Sequence, residues 1–104
     1  MNYTKEEILD KATTILKDLN GKYYFEGCVD DATYIENKLI AFGRFKDEKQ
    51  SIWIVMAKAF ADNVDLLIIS DKTGEPLYYQ NFNTFVFDIE KDDKGYFRVG
   101  LPRD

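Results

Sequence analysis

The sequence predicts an α+β domain in which an N-terminal helix packs against a curved antiparallel sheet of five to seven strands. Three observations predict it. Thr4-Lys5-Glu6-Glu7 opens a clear helical apolar stripe, everything after Gly21 reads as strand and turn, and 104 residues suffice for one core but not for two.

The helix is marked at both ends. Thr4 and Glu7 have the S/T-x-x-E spacing of a capping box, in which the Thr hydroxyl accepts from the Glu amide while the carboxylate reaches back. Tyr3 and Ile8 stand where a hydrophobic staple would. Glu6, Glu7 and Asp10 lie near the positive end of the helix dipole and Lys17 lies toward the negative end. Ile8, Ala12, Ile15 and Leu19 recur at spacings of four, three and four, with Leu9 and Leu16 beside them, so one face is apolar. Asn20-Gly21 supplies the stop, which places the helix over residues 4–20.

Strands are expected next. Lys22 to Val29 alternates, with Tyr23, Phe25, Gly27 and Val29 on one side and Tyr24, Glu26 and Cys28 on the other. Asp30-Asp31 reads as a break, Thr33 to Glu36 as a short strand, Asn37-Lys38 as a turn and Leu39 to Phe45 as a longer strand. Ser51 to Phe60 is apolar on both faces apart from Lys58. Its β-branched and aromatic start predicts strand against the helix-favouring Ala57–Ala61. Asp62-Asn63 is a turn and Val64 to Ser70 a strand. Asp71-Lys72-Thr73-Gly74 is a hairpin connection leading into Leu77 to Gln80. Phe85 to Glu90 and Tyr96 to Val99 flank the polar turn Lys91–Gly95, and Leu101 to Asp104 forms a tail.

Composition excludes several chemistries. No histidine is present, which removes Ser-His-Asp and Cys-His catalysis, His-ligated zinc and an imidazole base near neutral pH. Cys28 is the single cysteine, so thiolate zinc clusters, Cys-x-x-Cys redox pairs and an internal disulfide are all ruled out; a buried structural thiol is expected. No glycine-rich phosphate loop occurs, and no cofactor is expected. The net charge of −5 disfavours nucleic acid and anionic membranes, and Arg44, Arg98 and Arg103 are the only arginines. With no apolar run of membrane-spanning length and no signal-peptide pattern at Met1, a cytoplasmic location is expected, and the lysine-rich, arginine-poor usage suits a bacterial or phage genome.

The remaining candidate sites are of two kinds. Asp30 with Asp31, and Glu36, Asp88 and Glu90, could serve as paired carboxylates, but each also reads as a solvated polar face. Asp88 to Gly95 places oxygen ligands at alternate positions, yet its glycine falls eighth rather than sixth for a calcium loop, and a hairpin turn is the better reading. Aromatic residues carry the stronger signal. Each of the pairs Tyr23-Tyr24 and Tyr78-Tyr79 puts one ring on either face of a strand, so one of each points away from the helix. Tyr24, Trp53, Tyr78, Tyr79 and Phe82 are the candidate binding residues, against the alternative that these rings cover a second core face.

A capped helix, TKEEILDKATTILKDLNGK, followed by strands containing IWIV and the hairpin DLLIISDKTGEPLYYQ, resembles small cystatin-like proteins, among them the bacterial immunity type. The resemblance lies in the order of elements, and no residue role is carried over. It implies a cytoplasmic protein that binds and blocks a toxin. The expected function is therefore a non-enzymatic protein-binding module of the inhibitor or immunity kind. One alternative is a small-ligand or enzyme domain, with a pocket between helix and sheet lined by Phe25, Trp53, Phe85 and Phe87. Another is a self-assembling subunit, and the chain allows a homodimer through a long edge strand.

Overall fold

In the computed structural model, which describes residues 1–59 and 61–101, the capping box forms as the sequence predicts. The Glu7 amide donates to Thr4 Oγ1 at 3.1 Å and the Thr4 amide to Glu7 Oε1 at 2.8 Å. Helix α1 spans Lys5–Asn20. It ends where Gly21 takes φ +52° and donates its N–H to the Lys17 carbonyl, a conformation that a side chain would resist. A 3-10 turn, Gly21–Tyr23, follows.

Among the described residues seven strands follow: β1 (Val29–Leu39), β2 (Lys49–Lys58), β3 (Val64–Ser70), β4 (Pro76–Gln80), β5 (Val86–Phe87), β6 (Ile89–Asp92) and β7 (Gly95–Arg98). The first five form an antiparallel sheet in sequential order, β1-β2-β3-β4-β5, which does not close into a barrel. Strands β6 and β7 form a separate hairpin, with β7 against α1 and β6 against β4.

Register fixes which residues meet the helix. Tyr34, Trp53 and Ile69 are cross-strand neighbours, as are Ala32, Val55, Leu67 and Tyr79 one pleat along. These rows face α1 and share one core with Ile8, Ala12, Ile15, Leu16 and Leu19. The intervening row, Ile54, Ile68 and Tyr78, points the other way, as does Ile52, into a second cluster with Ile40 and Leu77. Tyr78 and Tyr79 thus take opposite faces, as alternation requires. The run of residues 51–60 is strand through Lys58; Phe60, and the tail residues 102–104, lie outside the described residues.

A buried carboxylate ties the N-terminus to the sheet. Asp71, at the end of β3, accepts from the Asn2 amide at 2.8 Å, the Tyr3 amide at 3.3 Å and Trp53 Nε1 at 2.9 Å. The approach to α1 is therefore anchored to the strand that holds the only tryptophan.

Four sequence expectations in the first half of the chain are corrected. Of the strand read over Lys22 to Val29 only Val29 is in a strand, opening β1: after the 3-10 turn the Cys28 amide closes back on the Phe25 carbonyl, with Gly27 at φ +82°. Asp30-Asp31 does not break a strand but lies inside β1, where the pairing slips between Val29 and Asp31 and Lys5 reaches Asp31 at 2.7 Å. Asn37-Lys38 is likewise no turn: Asn37 takes φ +50° in a second register slip and donates its amide to Ser51 Oγ, so β1 continues to Leu39. Leu39 to Phe45 does not form a strand of its own: Leu39 ends β1 and the residues from Ile40 to Phe45 are not strand. Ile40 exchanges backbone bonds with Glu48 and Asp47, closing a loop that lays Ile40 and Phe45 on the far face of the sheet. Within that loop Gly43 sits at φ +80° against Asp88, where an added Cβ would come 2.7 Å from the carboxylate.

The single strand read over Phe85–Glu90 is divided at Asp88 between β5 and β6. There the Asp88 carboxylate accepts the Arg44 amide at 2.8 Å and its carbonyl accepts the Val99 amide, so backbone and side chain both serve other partners. No helix among the described residues is long and apolar enough to cross a membrane.

Candidate functional site

Four parts of the chain converge where α1 ends: the turn after the helix, the end of β2, the start of β3 and the connection after β4. They enclose an open concavity of about 430 Å³ lined by Tyr23, Phe25, Phe82 and Tyr79 together with Asn20, Lys58, Ala59 and Asp65. Three rings leave much of their surface in water: Tyr23 is 67% exposed, Phe25 49% and Phe82 42%. Phe82 stands out because its connection, Asn81–Thr84, is otherwise polar and held by the Asn81 carboxamide, which accepts from the amides of Asn83 and Phe85.

The floor is held rigidly. Asp65 accepts the Tyr79 phenol on one oxygen and the Phe82 amide, at 2.9 Å, on the other. Arg98 stacks on the Tyr79 ring with its guanidinium carbon 4.4 Å from the centroid, and donates to the Leu19 carbonyl at 3.0 Å and Asn20 Oδ1 at 2.8 Å. A guanidinium at the last carbonyls of a helix also meets the negative end of its dipole. Burial pushes the Tyr79 phenol well above the usual tyrosine range, and acceptance by Asp65 adds to it. The phenol therefore stays protonated across the neutral range and serves as a donor, so Asp65 is engaged in positioning Tyr79 and Phe82.

The sequence candidates are divided by this arrangement. Tyr79 and Phe82 both belong to the concavity. Trp53, 3% exposed, lies in the helix-facing core, and Tyr78, 8% exposed, lies in the core of the opposite face, so neither contributes to a surface. Tyr24 sits on the other side of its segment, beneath Lys17, in a different groove. The five rings thus do not form one patch. Tyr23, Lys58, Asp65 and Arg98 were not among the candidates, and Phe25 figured only in the alternative ligand pocket. The signal for Tyr23 and Phe25 was present in the alternation, which puts them on one side and Tyr24 and Glu26 on the other; the structure keeps that division although the segment forms no strand.

The pocket expected between helix and sheet does not form around its four residues. Trp53 and Phe87 pack into or against the core, while Phe25 and Phe85 are exposed. Among the carboxylates, Asp31 pairs with Lys5, which holds its acid below the usual range, and Asp88 and Glu90 flank Arg44. Asp88 to Gly95 becomes the β5–β6 junction and the β6–β7 hairpin, where Asp92 accepts the Lys94 amide. Among the described residues no three carboxylates or thiols gather as metal ligands. Cys28 is buried, and that burial raises its thiol. No family model matches the sequence, and no curated protein or solved structure matches it significantly.

Proposed function

We propose that the chain is a non-enzymatic protein-binding module, of the inhibitor or immunity kind, that seats an apolar side chain of its partner in the aromatic concavity. The observation that carries this reading is the rim of Tyr23, Phe25 and Phe82, half in water around a floor fixed by Asp65 and Arg98. Rigid rings with a large apolar area lose little conformational entropy when covered, which is why such residues anchor protein interfaces. The absence of histidine and the protonated state of Tyr79 support a binding role over an acid–base one. A net charge of −5 favours rapid association with a basic partner.

Panning a displayed peptide library on the whole chain tests the proposal. Recovered peptides are expected to share a bulky apolar residue and to lose about tenfold or more in affinity for Phe82→Ser and Phe25→Ser variants. Peptides that bind those variants as well as the parent would remove the concavity from the interface.

A further inference from the structure

The segment that walls the aromatic concavity has a second side. There, a shallow groove of about 200 Å³ runs between α1 and the chain entering β1, floored by Leu9, Tyr24 and Val29 and rimmed by Asp10 and Glu26. Neither rim carboxylate has an ion-pair partner among the described residues, whereas the nearby Asp31 is already matched by Lys5. Lys17 holds its ammonium 5.5 Å from the centroid of the Tyr24 ring, so that ring already receives a cation. Burial and, next, the charge of Glu26 raise the Tyr24 phenol.

The groove opens directly onto a sheet edge, because Val29 is both part of its floor and the first residue of β1. Strand β1 pairs with β2 on one side and, among the described residues, has no strand on the other. Its two register slips confine the regular stretch to Asp31–Ile35. An open edge offers backbone donors and acceptors to any extended chain, and the flanking side chains decide which chain is accepted.

We infer that the edge of β1 takes an extended, lysine- or arginine-bearing segment of the partner protein, with one cationic side chain lying in the groove between Asp10 and Glu26. This rests on the protein-binding reading but uses a surface apart from the aromatic concavity. The alkyl stem of a long cation would cover Leu9 and Val29 while its head meets the two carboxylates. A second copy of the chain is the poorer fit, since its β1 carries Asp30, Asp31 and Glu36 against the one cation Lys38.

Amide NMR of the whole chain, titrated with a short synthetic peptide alternating lysine and valine, tests the inference. The peptide is expected to shift the signals of residues 31–35 together with Leu9 and Glu26. Its affinity should fall about tenfold in an Asp10→Asn, Glu26→Gln variant and weaken with salt. The same peptide N-methylated at alternate backbone positions keeps its charge but cannot pair along an edge, and is expected not to bind. Binding should persist in Phe82→Ser, which separates this surface from the concavity. Equal binding of the methylated peptide or of a glutamate–valine peptide, shifts confined to other residues, or no binding at all would each overturn it.

Discussion

Replacing Leu16 by alanine is expected to lower the free energy of unfolding by about 3 kcal/mol, the middle of the range for a fully buried leucine that leaves a cavity. Leu16 has no exposed surface and lies in the cluster that joins α1 to Trp53, Val55, Leu67 and Ile69. The loss combines apolar surface returned to water with contacts that rigid neighbours cannot restore. For a domain whose whole stability is about 5–15 kcal/mol, this is a large fraction. Urea unfolding followed through Trp53, the only tryptophan, measures it. Thr14→Ala, on the exposed side of the same helix, should change stability by less than about 0.5 kcal/mol. Equal effects at the two positions would mean that the stripe does not anchor the helix.

Asp71→Ala is expected to cost about as much, roughly 3 kcal/mol, for a different reason: it orphans donors instead of opening a cavity. The carboxylate is 3% exposed and takes three N–H groups, from Asn2, Tyr3 and the Trp53 indole. Ionic acceptors strengthen such bonds, and a buried N–H left without one bears its full desolvation cost. Asp71→Asn keeps one acceptor oxygen and should fall between the parent and the alanine variant. The near-ultraviolet circular dichroism of Trp53 should weaken in the same order. If alanine and asparagine were both neutral, the link between the N-terminus and the sheet would contribute nothing to stability.

Local chemistry made some elements legible. The capping box and Gly21 fix α1 within a residue of the sequence reading, and β3 spans Val64–Ser70 as read, because a capped stripe and a β-branched run between turns leave few alternatives. The first half of the sheet was less legible. Asp30-Asp31 and Asn37 look like strand breakers, but β2 is long enough to pair across both, so they become irregularities within β1. Residues 39–45 are apolar enough for a strand, yet Gly43 at φ +80° and Asp47 at φ +74° turn them into a flap over the second core.

The site shows the same limit. Alternation reveals which rings share a side and is silent on what covers that side. Trp53, Tyr78 and Tyr79 stand in strands with a core on each face and are buried, whereas Tyr23 and Phe25 lie in a segment that finds no strand partner and remain in water. Phe82 was legible because an aromatic ring in the polar stretch Asn81–Thr84 has little local company to bury it.

The rings at the rim are held to be available for recognition and dispensable for folding. Urea unfolding of the combined Tyr23→Ser, Phe25→Ser, Phe82→Ser variant, read through Trp53 fluorescence, tests that directly. A stability within about 1 kcal/mol of the parent is predicted, given the small effects of substitutions at exposed positions. A loss comparable to that of Leu16→Ala would show that the three rings hold the fold together and would contradict their assignment to a docking surface.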